Sequence, residues 1–214
     1  MRRAPFTPEE DVDFLLENIN RALEVPLTRD DVVGTFTGLR PLIDSGEGGS
    51  TADVSRKHVI IKSKEGAYSV VGGKFTEYRL MAEETLDQVL AERMISAGES
   101  KTRDLPLIGA QGHPDSAGVT SVELDRTPRA VVDRFGFEAP DVLSVATVDR
   151  PKDVLPGTDV TRAEVEYALT HEGALNADDI LERRTRIAMV ESDADAVRDE
   201  VQEIVDAVLK GEEK

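Results

Sequence analysis

The sequence predicts an α+β chain, an incomplete strand-and-helix region on the substrate side followed by an all-α C-terminal domain. Residues 31–39, 58–61 and 68–71 are short runs rich in Val, Ile, Thr and aromatics, bounded by turn residues, as strands are. Beyond residue 126 the apolar pattern becomes helical, with helix starts marked at Thr127-Pro128, Thr161 and Asn176. Three short strands rarely make a stable sheet alone. The first region is therefore expected to be part of a sheet whose other strands lie outside this chain.

Each element has its own signal. Thr7-Pro8-Glu9-Glu10 predicts a helix start, with Thr7 capping, Pro8 in the first position and Glu10 closing a capping box. Phe14, Leu15, Ile19, Ala22 and Leu23 then follow at helical spacing, and Pro26 ends the run. Asp31 to Leu39 reads as a strand, and Asp44 to Asp53, rich in Gly, Ser and acids, as a mobile loop. His58–Ile61 and Tyr68–Val71 read as two strands of a hairpin joined by Lys62-Ser63-Lys64-Glu65-Gly66. Gly72-Gly73 breaks the second strand. A helix is expected from about Phe75 to Ala97, with Leu80, Leu86, Val89, Leu90 and Met94 on its apolar face.

Gly98 to Asp125, with Pro106, Pro114 and several glycines, is the least regular stretch. The expected organisation is residues 1–97 as the C-terminal portion of a larger domain, 98–126 as an irregular linker and 127–214 as a helical domain. In that last part Thr127-Pro128 starts a helix that Gly136 stops. Thr161 with Glu164 makes a capping box, Asn176 caps the next helix, and Ala196 to Lys210 closes the chain with Val197, Val201, Ile204, Val205 and Val208 on one side.

Composition excludes several functions. With 39% hydrophobic residues among 214 a packed core is expected, and no apolar run approaches a membrane span. The start, Met1-Arg2-Arg3-Ala4-Pro5, runs into acidic residues and does not read as a secretory signal. The absence of cysteine removes disulfides, thiolate metal sites and thiol catalysis. Twenty-six basic residues against 43 acidic give a net charge of −17, which opposes nonspecific adhesion to nucleic acid or anionic lipid. The acidity reads either as a solvated, salt-adapted surface or as a docking face.

Three local features carry chemistry. In Val70-Val71-Gly72-Gly73-Lys74-Phe75-Thr76 a strand runs through two glycines into a helix start. Glycine lets a group approach the backbone, and a helix start offers free N–H groups that stabilise an anion or electron-rich carbonyl. Lys74 adds a full charge. The run is not a phosphate-binding P-loop, because Tyr68 and Phe75 stand where that pattern needs Gly and Ser or Thr. Arg40, in Gly38-Leu39-Arg40-Pro41-Leu42, and Arg56, in Ser55-Arg56-Lys57-His58, sit at strand ends and are suited to multi-point recognition of an oxyanion. Each of these cations has the alternative of being a plain surface charge. His58 reads as a hydrogen-bonded structural residue, His113 as a solvated loop residue and His171 as a helix-end cation. No metal-ligand spacing is present, and no G-x-G-x-x-G follows a strand, so a self-contained dinucleotide site is not expected.

Taken together, Gly34-Thr35-Phe36-Thr37-Gly38-Leu39-Arg40-Pro41-Leu42, Ser55-Arg56, Ser69-Val70-Val71-Gly72-Gly73-Lys74-Phe75-Thr76-Glu77-Tyr78-Arg79 and Asp178-Asp179-Ile180-Leu181-Glu182-Arg183-Arg184-Thr185-Arg186 resemble, in order, segments of the FAD-dependent glycerol-3-phosphate dehydrogenases. The resemblance covers nearly the whole chain and is weakest over Gly98 to Asp125. It implies oxidation of sn-glycerol 3-phosphate to dihydroxyacetone phosphate, with hydride passing to FAD and then to a membrane quinone, or to oxygen in the family's oxidases. It implies that Arg40 faces the flavin and polarises the substrate C2 oxygen, that Arg56 helps hold the phosphate, and that Lys74 lies beside substrate and flavin. Arg40 and Lys74 are then the catalytic pair, and Gly72, Gly73, Lys74, Phe75 and Thr76 the cofactor-facing residues.

This chain departs from the family pattern in lacking the dinucleotide-binding core. FAD binding is therefore expected to need the rest of the protein, a separate FAD-binding chain or a homo-oligomer, and the chain alone is expected to be inactive. A cytoplasmic location, peripheral at the inner face of the cell membrane through the complete enzyme, follows from the same resemblance. A contrasting reading is a non-catalytic interaction module whose acidic helical half docks a partner.

Overall fold

The computed structural model describes residues 6–39 and 57–212. The chain divides into two compact units, residues 38–105 and residues 1–37 with 106–214. The architecture is α+β, as expected.

The smaller unit is a hairpin and a helix. Strand β1, His58–Lys62, pairs antiparallel with β2, Tyr68–Gly72, in a register that sets His58 opposite Gly72 and Lys62 opposite Tyr68. The turn closes through Ser63, whose backbone accepts from Gly66, a glycine at φ +88. A 3-10 turn, Phe75–Glu77, leads into the helix Tyr78–Glu92. This helix stops before the expected Ala97, because Met94 takes up left-handed backbone at φ 53. Its apolar side packs less than the periodicity expects. Met94 is 93% exposed, and no residue of the helix is fully buried.

The hairpin is held to the helix at both ends. His58 Nε2 lies 2.7 Å from Glu84 Oε2. At the other end Lys62 Nζ and the Tyr68 hydroxyl both donate to Glu92 Oε2 at 2.6 Å. Those two donors, with Gln88, pull the Glu92 carboxyl down to about 2.

In the larger unit α1 spans Glu9–Asn20. Pro8 occupies the capping position, and the expected Thr7 cap does not form. Proline supplies no capping side chain, and the Thr7 hydroxyl instead meets that of Thr37 at 2.5 Å. The strand expected over residues 31–39 is absent. Arg29–Asp31 forms a 3-10 turn and residues 32–39 carry no regular structure. β-Propensity reports fit to a pleated surface, and among the described residues no partner strand is there to offer one. The loop expected over Asp44 to Asp53 lies outside the described residues.

Numbering the hairpin-unit helix Tyr78–Glu92 as α2, the remaining helices are α3, Ser121–Arg126; α4, Arg129–Phe135; α5, Ala139–Ser144; α6, Arg162–Thr170; α7, Ala177–Asp179; and α8, Glu191–Glu212. Gly136 ends α4 as expected, at φ 59. It is also a contact point: a Cβ there would lie 2.3 Å from the Gly109 carbonyl oxygen, so only glycine lets the two backbones meet.

Thr161 and Glu164 make the expected capping box on α6, and Asn176 caps α7 by accepting from Asp179 N. Between α7 and α8 the chain makes a π-helical turn, Ile180–Arg184, that periodicity does not foresee. The core is built here. Leu155, Val165, Ile180 and Leu181 are fully buried against Val197, Val201, Ile204 and Val205 of α8. Among the described residues every fully buried side chain lies at or beyond Val131. No described helix is long and apolar enough to cross a membrane.

Candidate functional site at the glycine-glycine-lysine turn

Strand β2 delivers the chain into Gly72 and Gly73, both with left-handed backbone at φ 80 and φ 74. Such dihedrals favour glycine, and sterics enforce it at the second position. A Cβ on Gly73 would stand 2.7 Å from Met81 Sδ and 3.1 Å from His58 Cβ. The turn is thus clamped between β1 and the first turns of α2, and the His58–Glu84 contact fixes the two sides of the clamp.

Lys74 is the residue before the 3-10 turn, and its backbone carbonyl accepts from Glu77 N at 2.9 Å. Its ammonium lies 3.3 Å from Glu77 Oε1, on a side chain still 55% exposed. That contact leaves the cation available, since an exposed i,i+3 pair is weakly held. Among the described residues nothing accepts from the N–H groups of Phe75 or Thr76. These are orphan donors of a helix start.

A cavity of about 600 Å³ opens beside the turn, with Val70, Met81, Ala82 and Leu86 supplying apolar wall. Phe75 stands 92% exposed, its ring 6.3 Å from that of Tyr78. A large aromatic so exposed next to a cation and free N–H groups is suited to a flat, electron-rich partner with an apolar face.

Of the residues expected at the site, Gly72, Gly73, Lys74 and Phe75 all line this cavity, and Thr76 follows in the same turn. Arg40 and Arg56 lie outside the described residues. The wall residues Tyr78, Met81, Ala82, Thr85 and Leu86 were not foreseen. Their signal was available, because positions 75, 78, 82 and 85 trace one face of a helix.

Two buried polar side chains elsewhere serve structure. Glu166 is 5% exposed and fully satisfied, accepting from Thr147 N and Val148 N at 2.8 Å and from the Thr147 hydroxyl at 2.5 Å. Tyr167 stacks on His171 at 4.3 Å, and burial with the neighbouring Glu138 carboxylate pushes its phenol up. No group of three or more metal-ligating side chains is present among the described residues.

Comparison with known proteins places the chain in a family. Residues 100–214 match the family described as the C-terminal domain of alpha-glycerophosphate oxidase. Glycerol-3-phosphate dehydrogenase 1 of Mycobacterium tuberculosis is 49% identical over 197 residues, covering 90% of this chain and 38% of the relative. Glycerol-3-phosphate dehydrogenase 2 of the same organism is 34% identical over 216 residues, covering 96% and 36%. The mitochondrial glycerol-3-phosphate dehydrogenase of Rattus norvegicus is 30% identical over 198 residues, covering 87% and 27%. The chain thus spans between 27% and 38% of the length of these relatives. With more than half its residues matched, the chain belongs to the family of the alpha-glycerophosphate oxidase C-terminal domain.

Proposed function

We propose that this chain forms the substrate-side and C-terminal part of a flavin-dependent glycerol-3-phosphate dehydrogenase that oxidises sn-glycerol 3-phosphate to dihydroxyacetone phosphate. The observation that carries the reading is the Gly72-Gly73-Lys74 turn, with its free N–H groups and exposed ring beside an apolar cavity. The names of the relatives support the substrate.

The residues present fit a flavin. Gly73 has no room for a Cβ on the side of Met81 and His58, so the turn keeps one fixed shape. The N–H groups of Phe75 and Thr76 and the Lys74 ammonium would meet the electron-rich pyrimidine edge. A bound flavin supplies the acceptor for the substrate's hydride. This chain's part is to hold the edge that gains negative charge and to keep Lys74 beside the substrate. Residues 1–97 would belong with the flavin- and substrate-binding domain, Arg40 polarising the C2 oxygen and Arg56 gripping the phosphate. Residues 98–126 would link it to a helical domain over 127–214. The FAD core would come from the remainder of the protein or from a separate chain, with quinone as final acceptor.

Purification from the native source through a tag on this chain tests the reading. The expected result is flavin absorbance in the preparation and glycerol-3-phosphate-dependent reduction of a dye. A folded preparation with its associated chains but neither flavin nor dye reduction would refute it.

A further inference from the structure

A second cavity, of about 650 Å³, lies in the larger unit and is lined by the turn that ends the π-helical segment. Four arginines reach it, Arg134, Arg183, Arg184 and Arg186, in a chain whose net charge is −17. Two of them are committed to carboxylates. Arg134 Nε donates to Glu164 at 2.5 Å and NH1 lies 3.0 Å from Asp159, while Arg183 holds Asp179 at 2.7 Å. The other two are not. Arg184 donates through Nε and Nη2 to the Glu172 carbonyl at 2.9 and 2.8 Å and through Nη1 to the Arg183 carbonyl at 3.4 Å, and its charge acts on the Glu172 carboxylate without a direct ion pair. The Arg186 side chain makes no hydrogen bond or ion pair among the described residues, although its carbonyl accepts from Met189 N at 3.1 Å.

Local backbone brings those two together. Thr185 is extended, at φ −114 and ψ −178, so the side chains on either side of it leave on a common face. The Thr185 hydroxyl donates to the carbonyls of Ile180 and Leu181 at 3.0 and 3.3 Å, which pins the segment. Ile187, 7% exposed, anchors its far end in the core. The backbone that carries the two arginines is thus fixed, and ligand binding has only their side chains to order.

The other walls narrow the ligand. A guanidinium pair matches phosphoryl oxygens; the Arg186 side chain has that capacity free, while Arg184 shares its donors with backbone carbonyls that a ligand would displace or share. The cavity is larger than a phosphate needs and lies in the range of small-molecule sites. Phe135, Val160 and Ile187 add apolar surface, and Glu172 and Asp193 add acceptors at the same rim. Those carboxylates repel a bare anion but accept from hydroxyl groups. We propose that this cavity is a binding site for a phosphorylated polyol or sugar, its phosphoryl group on Arg184 and Arg186 and its hydroxyls toward Glu172 and Asp193. The site is separate in residues from the glycine-glycine-lysine turn and does not depend on the flavin reading.

Calorimetric titration of the full chain with ribose 5-phosphate tests this, with ribose and with potassium chloride at matched ionic strength as controls. Saturable heat with ribose 5-phosphate alone is expected. Arg186→Gln removes a side chain without partners, so it should leave the circular dichroism spectrum unchanged while weakening binding by about tenfold or more, as loss of a charge-assisted hydrogen bond does. Arg129→Gln, at an exposed site outside the cavity, should bind as the parent does. No saturable heat with the parent chain, or equal binding by the Arg186 variant, would overturn the proposal.

Discussion

Arg134 and Glu164 form the tightest polar link between helices α4 and α6, with Nε 2.5 Å from Oε1 and Glu164 only 5% exposed. The same carboxylate accepts from the Thr161 backbone N–H at 2.7 Å and its hydroxyl at 2.8 Å, so one side chain caps its own helix and anchors another. Burial alone would lower the Arg134 guanidinium, and the Glu164 and Asp159 partners more than offset it, leaving its pKa raised. Removing one partner strands the other in the interior. Arg134→Ala is predicted to cost about 3 kcal/mol of stability, read by chemical denaturation of the chain. A loss no larger than that of an exposed pair such as Arg129–Asp133 would contradict it.

The turn at Gly73 gives a local prediction. Gly73→Ala adds a side chain to left-handed backbone and presses it against Met81 and His58. The expected cost is about 1–3 kcal/mol, confined to the hairpin unit. Hydrogen exchange should accelerate in β1, β2 and α2 and stay unchanged in α8.

Depth of burial predicts a gradient in the parent chain as well. Protection against hydrogen exchange should be highest at Leu181, Val197, Val201 and Ile204, and low in β1 and β2, where Val59 and Ile61 are 43% and 49% exposed. Uniform protection across both units would refute this.

Acid should loosen the hairpin. The Glu92 carboxyl is depressed from 4.5 to about 2 by Lys62, Tyr68 and Gln88. A depressed carboxylate contributes stability that is present above its unfolded value and lost as pH falls through the folded one. The hairpin-to-helix contact should therefore weaken as pH drops from about 4.5 towards about 2. The Glu92 side chain is open to solvent, so added salt should shrink the effect. Nuclear magnetic resonance titration of the β1 and β2 amides would show it, and Lys62→Gln should flatten the profile.

Glu172 works in the opposite sense. Burial, the leading cause, raises its pKa. Its folded form binds a proton more tightly than the unfolded chain does, so stability falls as pH rises from 4.5 through the folded value. Glu172→Gln should modestly stabilise the chain at neutral pH and have no effect in strong acid.

What could be read from the sequence was what is decided locally. The Thr161–Glu164 box, the Asn176 cap, the Gly136 stop and the 62–66 turn need only neighbours a few residues apart, and each is present. The glycine-glycine-lysine turn was legible for the same reason. The strand expected over 31–39 failed because a strand depends on a partner that local pattern cannot supply. Thr7 lost its capping role to a contact thirty residues away. The placing of Arg184 and Arg186 on one cavity depends on the extended Thr185 that follows a π-helical turn, and a search for a 3.6-residue period passes over it.

The most direct test of the central claim is glycerol-3-phosphate-dependent dye reduction by the flavin-containing complex carrying Lys74→Gln. The expected result is a fall in kcat/KM of roughly a hundredfold or more, as for loss of a group that stabilises developing charge, with flavin content retained. A kcat/KM within about threefold of the parent, with the same flavin content, would contradict the assignment of this turn to the reaction.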